Sequence, residues 1–173
     1  MKIRKENEND YNAVETLIRL AFENEKHSDH KEHLLVSRLR KSDAFIPELS
    51  LVADDGIITG HILFTKLIIG NGDKIFESLA LAPVSVLPQY QKKGIGSSLI
   101  LEGHRITRQM GYKSIIVLGH KDYYPRFGYE PAVKYNIKAP FNVPDENYMI
   151  KFLDNIDLDV FNGKVIYPGE FFE

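Results

Sequence analysis

The chain has 173 residues, 43% of them hydrophobic and 27% charged, with a formal net charge of −2. A chain this long buries roughly 70% of the surface its unfolded state exposes, so it needs no staples to hold a core. The composition excludes wholesale disorder and any periodic-glycine fibre. It contains no Cys, which removes a disulfide framework, a thiolate zinc site and a cysteine nucleophile together. Balanced charge gives no electrostatic reason to expect nucleic acid. The charged start, MKIRKENEND, lacks the apolar stretch of a secretory signal, and no apolar run reaches the about 18 residues that cross a membrane. The expectation is one cytoplasmic domain over residues 1–173, with no membrane and no nucleic-acid partner.

Residues 1–5 read as a strand, and Asn9-Asp10 as a helix start. Val14, Leu17, Ile18, Ala21 and Phe22 then recur at helical spacing, one apolar face. Residues 23–31 are polar, a loop or a frayed end. Leu34, Leu35, Arg38 and Leu39 predict a second short helix ended before Pro47. The pattern next changes to strands. Residues 49–53 and 57–69 flank the turn Asp54-Asp55-Gly56, a hairpin, and Asn71-Gly72-Asp73 leads into a third strand over 74–86.

A βαβ unit follows. The loop Gln91-Lys92-Lys93-Gly94-Ile95-Gly96 opens a helix over 97–110, with Gly111 as its C-terminal stop. Residues 114–118 form a near-continuous apolar run, the mark of a buried parallel strand. Beyond residue 122 the sequence predicts a short helix, proline-broken loops and strands near 133–137, 148–152 and 164–167.

The loop is the most informative segment. A helix start presents N–H groups without intrahelical partners and the positive end of the macrodipole, and glycines let an anion approach the backbone. Such a turn suits a pyrophosphate. A plain strand-to-helix turn with a capping serine has the same spelling. A dinucleotide fingerprint would need its third glycine at Leu99, and a Walker loop would need Gly-Lys-Ser/Thr; neither is present.

Gln91-Lys92-Lys93-Gly94-Ile95-Gly96 resembles the Q/R-x-x-G-x-G/A signature of the GNAT N-acetyltransferase superfamily. A second motif, Tyr123-Tyr124-Pro125-Arg126-Phe127-Gly128-Tyr129, is similar to the family's Y-x-x-x-G-F/Y element, with Tyr124 placed 28 residues after Gly96. With Gly119-His120 after the last core strand, the likeness is nearest to the YhbS-like branch. It covers residues 1–137 well and the tail more loosely.

The resemblance implies a mixed α/β GNAT fold. Its twisted mixed central sheet of about six to seven strands would hold a splayed parallel pair, flanked by about four helices. It implies acetyl-CoA as co-substrate and no metal. The backbone of Val84 and Val86 would pair with the pantetheine arm as an added strand does. The amides of Lys92, Gly94, Ile95, Gly96 and Ser97 would cradle the pyrophosphate, with Gln91 orienting the loop. Lys92 and Lys93 offer charge there, or are solvated surface lysines. Tyr124 would protonate the departing sulfur, and Tyr123 would pack. A backbone N–H such as that of Val84 would polarise the thioester carbonyl.

No ionisable side chain lies on residues 79–82, so the general base is open among Glu77, Glu25, a histidine of 27–33 and water. His27, His30 and His33 read as a solvated helix start rather than metal ligands. His120 reads equally as a satisfied strand-end residue or a cleft residue. Ser97 and Ser98 lack hydrolase partners, and His104, Arg105 and Arg108 complement a helix C-terminus. The expected partner is a small-molecule or peptide amine acceptor. Oligomeric state is open, a homodimer included. The rival reading is a CoA or acyl-CoA binding module without turnover.

Overall fold

The structure is a computed structural model describing residues 1–173. Strand β1 spans Lys2–Lys5. The chain then turns one step earlier than the Asn9-Asp10 signal implies. The side chain of Asn7 accepts from the Asn9 amide at 3.0 Å, and Asp10 returns the bond to the Asn7 amide at 2.9 Å. This capping box opens a short 3-10 turn, Glu8–Asp10, which feeds α1, Tyr11–Phe22. Val14, Leu17 and Ile18 are its buried face. Helix α2, Glu32–Leu39, buries Val36 and Leu39 and leaves Leu34 exposed. Pro47 does not end it. That proline sits inside β2, Phe45–Asp54, where pairing with the next strand is interrupted between Phe45 and Ser50, a place a missing N–H is tolerated.

The remaining elements are β3 (Ile58–Asn71), β4 (Lys74–Val86), α3 (Ile95–Gln109), β5 (Ser114–Leu118), β6 (Glu130–Pro131), β7 (Ile137–Lys138), β8 (Tyr148–Phe152) and β9 (Gly163–Ile166). Helix α3 begins two residues before the expected 97, and Gly111 follows it at φ 85°. The strand expected near 133–137 is instead a 3-10 turn, Ala132–Tyr135. Asn136 closes it at φ 53°, a left-handed conformation asparagine tolerates. Three α-helices therefore stand where about four were expected, since the fourth shrinks to the 3-10 turn Tyr124–Phe127. Nine strands replace six to seven because two of them are only two residues long.

The strands bond in the order β1-β2-β3-β4-β5-β8-β6, with β9 paired to both β3 and β7. The pairs β4/β5 and β7/β9 are parallel. The β4/β5 ladder is short, Leu79↔Ile115 and Ala80↔Ile116 only, while β5 and β8 match over five residues, Ser114↔Phe152 to Leu118↔Tyr148.

Two compact units interleave along the chain. The first takes residues 1–65, 82–106 and 169–173. Its core joins Val14, Leu17, Ile18, Val36, Leu39, Val52, Leu63 and Leu87, with Phe171 packed against it. The Arg38 guanidinium donates to the Glu170 carbonyl at 3.2 Å, which ties the last residues to α2. A buried polar cluster lies beside this core. Arg40 meets Glu6 at 2.5 Å and Glu15 at 3.0 Å, and its guanidinium lies 3.9 Å over the Tyr11 ring. Ser50 donates to Glu6 at 2.6 Å and lies 3.1 Å from His61 Nε2. The second unit takes residues 66–81 and 107–168. Aromatic pairs furnish much of its packing, Phe76 on Phe161 and Tyr135 on Phe152, each at 4.9 Å.

His61 is fully buried, and burial first, then the Arg40 guanidinium, push its imidazole from 6.5 down to about 3. An unfolded chain takes up a proton below its ordinary value of 6.5, and the native state refuses it until about 3. Stability is therefore lost as pH falls through that window. Urea midpoints at pH 7.5, 5.5 and 4 are expected to fall more steeply for the wild type than for His61→Gln. Parallel falls would remove His61 from the acid response.

Candidate active site

Strand β4 continues past its last parallel rung at Ala80 to Val86, six residues further. Pro83 lies in that extension and has no N–H, so a ladder on both edges cannot run unbroken through it. Val84 and Val86 are half-buried, and Ser85 between them is buried on the other face. Leu79, Ala80 and Leu81 are buried, and Ala82 adds no charge.

After Val86 a 3-10 turn, Pro88–Tyr90, leads into the glycine loop. The Gln91 side-chain amide donates to the Val86 carbonyl at 3.2 Å, which fastens the loop's first residue to the strand end. Lys92 takes φ 60° and Gly94 φ 82°, two left-handed steps that reverse the chain. The first bond of α3 runs from the Ser98 amide to the Gly94 carbonyl at 2.9 Å. The amides of Ile95, Gly96 and Ser97 therefore precede the ladder and have no partner within it. Lys92, Lys93 and Gly94 are exposed, and the Lys93 ammonium lies 5.0 Å from the Tyr90 ring centre.

Ile95 turns inward and is buried. Gly60 on β3 makes room for it: a Cβ there would stand 2.8 Å from the Ile95 methyl, 2.9 Å from Leu99 and 3.3 Å from the Ser85 carbonyl. The helix start thus rests on a glycine that no motif marks. Its only trace in sequence is a lone glycine in an apolar strand, a known sign of close backbone approach.

Tyr124 belongs to the second unit. It opens the 3-10 turn Tyr124–Phe127, which Gly128 ends at φ 87°. The ring is buried, edge-on to Tyr123 at 5.2 Å and to Tyr129 at 5.7 Å. Burial, and then Tyr123, push its phenol above the ordinary range, so the hydroxyl is protonated at neutral pH. That hydroxyl has no hydrogen bond within the chain, yet its oxygen is not among the sealed polar atoms. Tyr123 is half-buried between Phe127 and the Arg126 guanidinium, which lies 4.7 Å from its ring.

The base candidates do not gather into a site. Glu77 is exposed; burial first, and then the Glu77 carboxylate, raise the Tyr112 phenol above its ordinary value. Glu77 lies seven residues before Val84 on β4, about 23 Å of extended strand. Glu25 is half-buried, and His27 is exposed. The His30 ring bonds the Phe22 carbonyl at 2.8 Å. No group of three His, Asp or Glu side chains is placed to hold a metal ion. His120 is exposed, and its carbonyl accepts from the Tyr123 amide at 3.0 Å. No helix is long and apolar enough to cross a membrane.

The family profile of the acetyltransferase (GNAT) domain matches residues 2–132. The chain is 42% identical over 120 residues to the uncharacterised N-acetyltransferase YjhQ of Escherichia coli K12, covering 68% of this chain and 66% of that protein. It is 28% identical over 173 residues to the uncharacterised N-acetyltransferase YhbS of the same strain, 99% of this chain and 98% of that one. Its fold is similar to the crystal structure of E. coli YhbS in complex with CoA, with TM-score 0.88, 26% identity, and 99% and 92% of the two chains covered. It is likewise similar to a GNAT family acetyltransferase from Brucella melitensis in complex with acetyl-CoA, with TM-score 0.80, 33% identity, and 98% and 97% covered.

Proposed function

Because the chain belongs to the GNAT acetyltransferase family, we propose that it transfers the acetyl group of acetyl-CoA to a primary amine by direct attack, with Tyr124 as general acid. The two units together act as one acetyltransferase domain over residues 1–173. The observation that carries the reading is the early end of the β4/β5 ladder at Ala80↔Ile116, while β4 runs on to Val86. A strand edge without its ladder is what an extended, amide-bearing arm pairs with. The solved relatives hold CoA or acetyl-CoA.

On this reading the backbone of Val84 and Val86 holds the pantetheine arm. Gln91, fastened to Val86, sets the loop. The amides of Lys92, Gly94, Ile95, Gly96 and Ser97 bind the pyrophosphate, helped by the positive end of α3. The acceptor's neutral amine attacks the thioester carbonyl, polarised by an N–H such as that of Val84. The C–S bond then breaks, the Tyr124 hydroxyl gives its proton to the sulfur, the attacking nitrogen loses one to solvent, and the tyrosinate takes one back from solvent, which restores the acid. No covalent acetyl-enzyme forms, which suits a chain without Cys. The acceptor is a small-molecule or peptide amine.

A CoA-binding module without turnover is the rival. The absence of any ionisable side chain over residues 79–82 favours it. Thiol release from acetyl-CoA across an amine panel separates the two, since only a transferase gives acceptor-dependent thiol. The loop is tested by calorimetry with CoA. Gly96→Val is expected to weaken binding by about tenfold or more, about 1.4 kcal/mol, with unchanged far-UV circular dichroism. Wild-type affinity in the folded variant would sink the phosphate-loop assignment.

A further inference from the structure

The Tyr124 hydroxyl makes no hydrogen bond within the chain, so packing around the ring alone decides where its proton points. Two sides are the edge-on rings of Tyr123 and Tyr129. Another is bare backbone. A Cβ on Gly119 would stand 2.8 Å from Tyr124 Cδ2 and 3.2 Å from Cζ, and nearer still to Cε2. The φ of Gly119 is not left-handed, so its backbone is open to any L residue. The three heavy atoms nearest to such a Cβ all belong to the tyrosine ring.

Gly119 is itself held. Its amide donates to the Asn147 carbonyl at 2.9 Å, and the Asn147 side-chain amide donates to the Gly119 carbonyl at 3.0 Å. This reciprocal pair lies one step beyond Leu118↔Tyr148, the last rung of β5 and β8. It ties the backbone that faces the ring to the end of the β5/β8 ladder. Both bonds join the same two residues, so Gly119 cannot slide along β8 without losing both. We propose that Gly119 and Asn147 are positioning residues for the Tyr124 proton. Gly119 sets how closely the ring approaches the end of β5, and Asn147 fixes Gly119. The proposal rests on the general-acid reading of Tyr124.

A misplacement of about 1 Å at a reacting group can cost up to about 10²-fold in rate. Gly119→Ala is therefore expected to lower kcat by about 10- to 100-fold, with the KM for acetyl-CoA unchanged. Asn147→Ala acts in the same direction and less, and it leaves the sterically tight position untouched should Gly119→Ala fail to fold. The test is a double-mutant cycle with Tyr124→Phe, read as thiol release with the fastest amine of the panel. In the Phe background both substitutions should be silent within about twofold, because the proton they position is gone. A second readout needs no acceptor. With 3-fluorotyrosine incorporated, the signal lost in Tyr124→Phe identifies this ring, and it should shift in Gly119→Ala and in Asn147→Ala.

Additive losses in the cycle, or an unmoved fluorine signal in either variant, would overturn the positioning roles and leave the general acid standing. A Tyr124→Phe variant with wild-type kcat would overturn the general acid, and the positioning roles with it.

Discussion

With Tyr124 as the proposed general acid, Tyr124→Phe is expected to lower kcat by about 10² to 10⁴ and to leave the KM for acetyl-CoA almost unchanged, because a positioned acid acts only as the bond to sulfur breaks. The substitution keeps the ring and its edge-on contacts with Tyr123 and Tyr129. Packing should therefore survive, and a melting curve checks that it does. Tyr123→Phe is the internal control: that ring sits between Phe127 and Arg126, and losing its hydroxyl should be nearly silent. Burial holds the Tyr124 phenol above its ordinary value of 10, so the donor is present at every pH below about 10. The wild-type rate should show no alkaline decline in that range. Equal behaviour of the two variants would mean that solvent protonates the leaving thiolate.

Glu6→Ala should destabilise the protein by about 3–5 kcal/mol, since it leaves a buried guanidinium short of its carboxylate. The side chains of Arg40 and Glu6 are 4% and 1% exposed. Glu15 remains on Arg40 but is 36% exposed, so it compensates little. The lost carboxylate also takes one partner from the Ser50 hydroxyl, which donates to Glu6 at 2.6 Å and keeps His61 Nε2 at 3.1 Å. In a domain of this size 1 kcal/mol is worth about 2–4 °C, so melting should fall by about 6–20 °C. Glu48→Ala is the comparison. Its ion pair with Lys5, at 3.3 Å, is more than half exposed on both sides and is worth about 1 kcal/mol at most. If Glu6→Ala melts with Glu48→Ala, the buried cluster holds nothing together.

Elements with strong local signals were legible in the sequence. Strands over 74–86, 114–118 and 148–152 follow from largely apolar segments between turns and loops, and the structure places β4, β5 and β8 on those residues. Helix α1 follows from its apolar spacing. Boundaries misled where a local rule met tertiary context. Pro47 reads as a helix stop, but the break in β2 pairing accommodates it within a strand. Residues 133–137 are apolar enough for a strand, yet the left-handed Asn136 closes a turn there.

At the candidate site the two motifs were visible because each is a contiguous string. What positions them was not. Gly60 matters through Ile95 and Leu99, 35 and 39 positions later, and Gly119 through the Asn147 pair, 28 positions away. A contact across such a separation leaves no periodicity in one sequence. The buried cluster of Glu6, Arg40, Ser50 and His61 was silent for the same reason, because four scattered polar residues look like surface until folding gathers them.

The interleaving of the two units bears on synthesis. Residues 1–65 leave the ribosome before the rest of their unit, which also draws on residues 82–106 and 169–173. At roughly 5–20 residues per second, the last of these emerges about 5–20 s after Thr65. Until then α2 lacks the carbonyl that Arg38 binds, and the core lacks Phe171. The nascent chain therefore carries an incomplete first unit throughout that interval. Chaperone demand should concentrate on that interval. A stalled nascent chain ending before residue 169 should be far more open to protease than the same chain extended to residue 173 and its C-terminal turn freed from the exit tunnel by a linker.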